Sequence, residues 1–152
     1  MTVPHPPRRL RALGQAAMRR ALLEFAARAL TEDGVHGLST RKLAQLAGTS
    51  TTAIYTLFGG KEGLFEALFV ESFARLSAAL RAVAEATPDP LERLKRMNAR
   101  YRAFALEHPA DYAVMFERVL PGHVHTPASL EAALDFRAMR HRTSICSLHL
   151  YV

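Results

Sequence analysis

The chain has 152 residues, of which 49% are hydrophobic and 22% are charged. This composition is typical of a globular protein with one domain or two small ones, and it excludes a disordered or collagen-like chain. The single cysteine excludes an internal disulfide framework and a multi-cysteine zinc site. The bias toward Ala, Leu, Arg and Glu favours helices throughout, so we expect an all-α fold.

The sequence contains no apolar run of about 18 residues, which a membrane-spanning helix would need, and no secretory signal at its start. We therefore expect a cytoplasmic protein without a membrane partner. We also expect no cofactor and no enzymatic activity, because we find no glycine-rich phosphate loop and no nucleophile motif. His123 and His125 have a metal-like spacing but no obvious third ligand, so we expect no metal site.

The net charge of +6 is concentrated near the start of the chain. Residues 1–60 contain eight basic and three acidic residues, whereas residues 61–152 contain twelve basic and eleven acidic residues. This asymmetry indicates a polyanionic partner, such as a nucleic acid, for the first part of the chain. The alternative is a positively charged surface that only increases solubility.

The chain begins with residues 1–14, where three prolines and three arginines predict a flexible basic arm. This arm either has no role or contacts DNA phosphates or the minor groove. A helix is predicted from Gln15 until Gly34, which supplies a carboxyl-terminal stop.

Two short helices follow. Ser39 is the expected N-cap of the first, which ends before Gly48, and Ser50 is the expected N-cap of the second. The second helix covers residues 51–58 and is broken by the glycine pair at 59–60. Two short helices joined by a glycine-containing turn are typical of a helix-turn-helix, here over about residues 39–58.

Four further helices complete the prediction, for a total of about seven. The first begins at Lys61 and ends before Thr87, where two prolines mark a stop. The others are expected over residues 90–108 and 110–120 and from Pro127 onward. We divide the chain into an arm (1–14), a helix-turn-helix domain (15–75) and a carboxyl-terminal helical domain (76–152).

The end of the chain departs from this helical pattern. Helical periodicity fades after Met139, and residues 144–152 alternate between polar and apolar side chains as a strand would. We therefore expect a truncated or frame-shifted carboxyl terminus.

Residues 38–64 carry a motif that resembles the TetR family of bacterial transcriptional repressors. The matching positions are Thr40, Leu43, Ala44, Gly48, Ile54, Tyr55, Phe58, Lys61, Glu62 and Leu64. The resemblance extends over about residues 15–75. Residues 101–116 also look like the regulatory domain of one TetR subgroup, through a helix–proline–helix pattern.

This resemblance implies a DNA-binding transcriptional regulator in the family's usual role of repressor, which a small apolar ligand releases from its operator. It also implies a three-helix DNA-binding domain, a helical domain for ligand binding and dimerisation, and a homodimer on a palindromic operator in double-stranded DNA. Family members usually have nine or ten helices, so dimer formation by this shorter chain is an open question. Two alternatives remain: a helical small-molecule-binding protein without an operator, and a truncated regulator that no longer functions.

The resemblance also assigns roles to single residues. Thr40, Tyr55 and Lys61 would contact backbone phosphates, which positions the protein without reading sequence. Arg41 would read guanine, and the threonines of the second short helix would face base edges. The expected DNA-binding residues are Thr40, Arg41, Ser50, Thr51, Thr52, Tyr55, Thr56 and Lys61. The alternatives are that Tyr55 is a half-buried helix aromatic and that Lys61 is an ordinary surface lysine.

A group of aromatic and apolar residues in the carboxyl-terminal domain is a candidate ligand pocket. Its members are Tyr101, Phe104, Tyr112, Met115 and Phe116. They would offer apolar surface and two phenol hydroxyls to a small-molecule effector. The alternative is that these residues are ordinary core.

Overall fold

The computed structural model describes residues 8–34, 38–117 and 124–142, and these ranges are all-α as the sequence predicts. The helices are α1 (Arg8–Asp33), α2 (Thr40–Leu46), α3 (Thr51–Phe58), α4 (Lys61–Ala86), α5 (Pro90–Glu107), α6 (Pro109–Phe116) and α7 (Pro127–Arg142). None of the described helices is both long and apolar enough to cross a membrane.

Polar caps explain several of the helix boundaries that the sequence predicts. The Ser50 hydroxyl accepts a hydrogen bond from the Ala53 amide at 3.1 Å and so begins α3. The Asp89 carboxylate accepts from the Glu92 amide at 2.8 Å, one residue before Pro90 opens α5. These contacts satisfy amides that have no partner inside the helix, which fixes each start.

Two predicted boundaries need correction. Helix α1 begins at Arg8 rather than Gln15, because the prolines end at Pro7 and the Arg, Leu and Ala residues that follow are good helix formers. Helix α6 ends at Phe116 rather than at residue 120, since Glu117 is extended, with φ −102° and ψ 151°. Residues 1–7 of the expected arm, His123 and the strand-like segment 144–152 lie outside the described residues.

The chain divides into two compact units within α4, one ending at Leu64 and the other beginning at Phe65. In the first unit, α1, α2 and α3 surround a small aliphatic core. Its buried side chains include Leu22, Ala26, Leu30, Leu38, Leu43, Ile54 and Leu64. Burying each leucine or isoleucine contributes about 1.5–3 kcal/mol, which holds the short helices α2 and α3 in place.

The second unit has a larger core that is rich in aromatic rings. Its buried side chains include Leu68, Phe69, Phe73, Leu76, Leu80, Met97, Tyr101, Phe104, Val114, Met115 and Phe136. Asp111 is also buried there, and its carboxylate accepts hydrogen bonds from the Ser72 hydroxyl at 2.7 Å and the Arg75 guanidinium at 3.1 Å. These bonds offset the cost of burying the Asp111 charge and link α6 to α4.

A second carboxylate holds the start of α7. Glu66 of α4 accepts hydrogen bonds from the Thr126 amide at 3.1 Å and from the Thr126 hydroxyl at 2.7 Å. The His125 Nδ1 atom lies 3.0 Å from the other Glu66 oxygen. Thr126 precedes α7 and is its cap, with the Ser129 amide donating to the Thr126 hydroxyl at 3.3 Å.

Candidate nucleic-acid interface

Helix α3 has one apolar face and one exposed polar face. Ile54 is fully buried against the first unit, whereas Thr51, Thr52, Tyr55 and Thr56 are exposed. Because an α-helix has 3.6 residues per turn, positions 51, 52, 55 and 56 lie within an arc of about 140°, so these four side chains form one continuous surface. We call this set, Thr51, Thr52, Tyr55 and Thr56, the α3 surface.

Tyr55 is placed on this surface by a glycine. Its side chain is 57% exposed, so it is not the half-buried aromatic of the alternative reading. Gly60 is buried and has φ +127°, a conformation that residues with a Cβ atom rarely adopt. A Cβ atom at Gly60 would lie 3.2 Å from Cε1 of Tyr55, so the absence of a side chain there leaves room for the phenol ring.

A second glycine brings the start of α4 against the end of α3. A Cβ atom at Gly63 would lie 1.7 Å from the Phe58 carbonyl oxygen, which no real side chain can tolerate. The side chain of Phe58 is held from α1, where the Arg19 guanidinium lies 4.8 Å from the centre of the ring. Sequence reasoning missed the Gly63 contact, although a glycine in the first turn of a helix was a visible signal.

Lys61 and Ser50 both lie at helix starts. Lys61 is the first residue of α4 and is half-buried, in the region where unpaired amides and the helix dipole favour an anion. Ser50 is exposed, and its oxygen already accepts from the Ala53 amide, which leaves the hydroxyl proton available to a phosphate.

The first turn of α2 contains two cations, and one of them has no ion pair among the described residues. Thr40 is half-buried there, and Arg41 is exposed with no ion pair in the part of the chain that the structure describes. The neighbouring Lys42 ammonium forms an ion pair with Asp33 at the end of α1, a contact that the sequence did not predict. Asp33 thus neutralises Lys42 and leaves the Arg41 guanidinium as the group that can donate a pair of hydrogen bonds.

The threonines of the α3 surface are not equivalent. The Thr56 hydroxyl donates to the Thr52 carbonyl oxygen, one helical turn earlier, at 2.9 Å. No comparable side-chain bond is found for Thr51 or Thr52 within the described part of the chain. The sequence grouped the three threonines together, although a threonine four residues after a helical carbonyl is a known signal for such a bond.

This arrangement can bind nucleic acid in two ways. The phenol of Tyr55, the ammonium of Lys61 and the hydroxyl of Ser50 are groups that contact phosphates and set the position of the protein. The Arg41 guanidinium and the threonines can reach base edges in the major groove. The structure brings Thr51, Thr52, Tyr55 and Thr56 together on α3 and keeps Arg41 on the separate helix α2.

The candidate ligand residues lie in the aromatic core of the second unit. Tyr101, Phe104 and Met115 are buried, and Tyr112 and Phe116 are half-buried. The Phe116 ring centre lies 5.0 Å from that of Tyr112 and 6.4 Å from that of Tyr101. These rings pack against each other, which is what an ordinary core requires.

The same unit contains an open groove between α4 and α5 that sequence reasoning missed. Its volume is about 670 Å³. It is lined by Ala79, Ala82, Val83, Ala86, Thr87, Arg96, Ala99, Arg100 and Ala103. Alanines recurring every three or four residues on both helices were the signal, because small side chains on one face leave a depression. At its edge, a hydrogen bond from Arg100 lowers the pKa of the exposed Glu107 carboxyl.

Comparison with known proteins places the first unit among bacterial regulators. Residues 22–68 match the family model for bacterial regulatory proteins of the tetR family. The chain is 42% identical over 59 residues to the HTH-type transcriptional repressor AcnR from Corynebacterium glutamicum, a match that covers 39% of this chain and 31% of AcnR. It is 32% identical over 109 residues to the HTH-type transcriptional repressor KstR2 from Mycobacterium tuberculosis, covering 70% of this chain and 54% of KstR2.

A solved structure extends the similarity beyond the helix-turn-helix. PfmR from Thermus thermophilus, a TetR family transcriptional regulator, is 30% identical and superposes with a TM-score of 0.61. That match covers 80% of this chain and 63% of PfmR. The chain spans about half the length of the curated relatives it matches.

Proposed function

Because the chain belongs to the TetR family of bacterial regulatory proteins, we propose that it is a sequence-specific DNA-binding transcriptional repressor. The observation that carries this proposal is the exposed α3 surface, formed by a short helix whose opposite face is fixed by the buried Ile54. A polar, solvent-facing short helix of this size fits the major groove of B-DNA. Two relatives that are named as transcriptional repressors support the direction of regulation.

The phosphate contacts in this proposal come from Thr40, Ser50, Tyr55 and Lys61. Lys61 and Ser50 support it by their places at helix starts, and Tyr55 by the exposure of its phenol. Arg41 is proposed to read guanine through O6 and N7, because its guanidinium is exposed and has no ion pair within the described residues.

We also propose that two copies bind a palindromic operator. The α3 helices of the two copies must lie about 34–36 Å apart, one turn of DNA, to read both half-sites. Light scattering on the eluting peak of a size-exclusion column measures the mass directly. A mass near twice 16.8 kDa supports the homodimer, and a stable monomer contradicts it.

DNA binding itself is tested by selection from a random double-stranded library, followed by titration between about 50 and 200 mM salt. We expect an enriched palindromic sequence and an affinity that falls steeply with salt, because phosphate contacts release counterions. The matched control is Arg41→Ala, which should relax the preference at one position of each half-site. A wild-type chain that enriches no sequence would contradict the proposal, and an unchanged preference in Arg41→Ala would remove the role of Arg41.

The effector is proposed to be a small apolar molecule that binds in the second unit and releases the DNA. Tyr101, Phe104, Tyr112, Met115 and Phe116 offer apolar surface with two phenols. The groove between α4 and α5 offers a volume within the range of about 300–1,000 Å³ that is usual for small-molecule sites. These two locations are distinguished by Phe116→Leu, which alters the aromatic cluster, and Ala103→Phe, which fills the groove.

The fluorescent probe 1-anilinonaphthalene-8-sulfonate provides the measurement for both variants. Loss of probe binding in Phe116→Leu alone favours the aromatic cluster, and loss in Ala103→Phe alone favours the groove. Probe binding by a chain that selects no DNA sequence would favour the second candidate function, a helical small-molecule-binding protein. The groove is the specific observation in favour of that candidate.

A further inference from the structure

Thr56 differs from the other threonines of the α3 surface in how its hydroxyl is used. Its Oγ1 atom donates a hydrogen bond to the Thr52 carbonyl oxygen at 2.9 Å, and both residues are exposed. A hydroxyl has one proton to donate. While this bond is present, the Thr56 oxygen can only accept a further hydrogen bond, so it cannot donate to a base.

This restriction decides which base edges Thr56 can recognise. In the major groove guanine offers only the acceptors N7 and O6, and thymine offers the acceptor O4 beside its C5 methyl group. An oxygen without a free proton gains nothing from N7, O6 or O4, and the bases from which it can still accept are adenine, through its N6 amino group, and cytosine, through its N4 amino group. The Cβ atom of threonine is tetrahedral, so an oxygen turned toward the Thr52 carbonyl leaves the methyl group directed away from that carbonyl.

We propose that Thr56 reads a thymine through contact between its own methyl group and the thymine C5 methyl group. The inference rests on the proposed function, since it names the base that one residue of the DNA-binding surface selects. The Thr51 and Thr52 hydroxyls donate no comparable bond within the described ranges, which leaves their protons for other contacts. The predicted half-site therefore contains a G·C pair at Arg41 and an A·T pair at Thr56.

The size of the effect follows from the area of one methyl group. Removing one buried methyl group from an apolar contact costs about 0.8 kcal/mol, which corresponds to about a fourfold loss of affinity per contact. Deoxyuridine in place of thymine removes only the C5 methyl group from the DNA. Each thymine of the selected operator half-site can be replaced in turn.

The test combines this replacement with two protein variants. Thr56→Val keeps the methyl group and loses the hydroxyl, whereas Thr56→Ser keeps the hydroxyl and loses the methyl group. We expect deoxyuridine at one position to weaken binding about fourfold for the wild type and for Thr56→Val. For Thr56→Ser the same replacement should have no effect, because the methyl–methyl contact is already absent.

Thr31 provides the control for the helix itself. It is exposed on α1, and its hydroxyl donates to the Ala27 carbonyl oxygen at 3.1 Å, the same type of bond as in Thr56. Thr31→Val and Thr31→Ser should therefore leave every deoxyuridine effect as in the wild type. Circular dichroism melting of all four variants shows that each one is folded at the temperature of the titration.

The outcomes are distinct. The proposal is overturned if the deoxyuridine effect persists in Thr56→Ser, or if it disappears in Thr56→Val, because the hydroxyl would then be the reading group. It is also overturned if no thymine in the operator responds to deoxyuridine. That last result leaves DNA binding by the wild type intact, so the proposed function stands. A chain that enriches no operator instead contradicts the proposed function itself.

Discussion

Replacing Gly63 by alanine tests whether the contact between α3 and α4 holds the DNA-binding surface in place. The added Cβ atom would lie 1.7 Å from the Phe58 carbonyl oxygen, inside a region that real Cβ atoms do not enter below 3.0 Å. The atom in the way is backbone, so no side-chain rotation can relieve the clash. The end of α3 must move away from the first turn of α4 by about 1.3 Å, the difference between those two distances.

Two opposing free-energy changes accompany this substitution. Alanine is a better helix former than glycine by about 1 kcal/mol, which would stabilise α4. Forcing an extra carbon into a packed contact costs about 1–3 kcal/mol even when side chains can adjust. Because a backbone shift is required here, we expect the upper end of that range, and a net loss of about 1–2 kcal/mol in the free energy of unfolding.

The assay is a urea denaturation curve together with an operator titration under conditions where the variant is fully folded. We expect a lower midpoint at an unchanged slope and an affinity reduced at least tenfold, because the shift moves Tyr55 relative to Lys61. Gly14→Ala is the matched control. Gly14 lies in α1, and a Cβ atom added to it would meet nothing within 4 Å, so alanine there should stabilise the protein by about 0.5–1 kcal/mol.

A Gly63→Ala variant with unchanged affinity would refute this reasoning, because it would mean that the spacing between α3 and α4 does not position the phosphate contacts. An increase in stability similar to that of Gly14→Ala would refute the steric argument itself. Reduced stability with normal operator binding would mean that the contact between Gly63 and Phe58 matters for folding alone and does not position the DNA-binding surface.

Three further predictions concern charge and hydrogen bonding. Tyr55→Phe should weaken binding to all DNA sequences and leave the salt dependence unchanged, because the phenol is neutral. Lys61→Gln should weaken binding as well, and in salt titrations it should lower the slope of log K against log salt by about one. Asp111→Ala should lower the free energy of unfolding by about 2 kcal/mol in urea denaturation, since the Ser72 and Arg75 bonds are lost, and Asp111→Asn should lower it less. Glu66→Ala should destabilise the chain by about 1–2 kcal/mol through loss of the Thr126 bonds, and a melting temperature equal to that of the wild type would contradict this role.

Most helix boundaries could be predicted because the interactions that set them are local. Ser50, Asp89 and Thr126 each cap a helix through an amide three residues later, so the signal lies within four residues of sequence. The sequence predicts the start of α1 too late, because proline and arginine together suggest an arm. The prolines stop at Pro7, and the arginines after them are compatible with a helix.

The contacts that shape the candidate site were harder to predict because they depend on approach between helices. The exposure of the α3 surface follows from helical periodicity around Ile54, and the structure agrees with it. The close approach of Gly63 to Phe58 and the pairing of Lys42 with Asp33 join residues on different elements. A pattern within one helix carries no information about how near the next helix lies.

The charge of the candidate interface explains why a second copy matters for the proposed function. The α3 surface is neutral, and the cations that we propose to contact DNA beside it are Arg41 and Lys61. In each copy, the Lys61 contact to phosphate and the Arg41 contact to a base give a salt slope of no more than about two, below the slopes of tight DNA-binding proteins. A neutral surface can discriminate between bases but adds little electrostatic attraction. For an affinity in the range typical of operators, about 10⁻⁸ M or tighter, we therefore expect two half-sites to be bound together, so that the free energies of both contacts add.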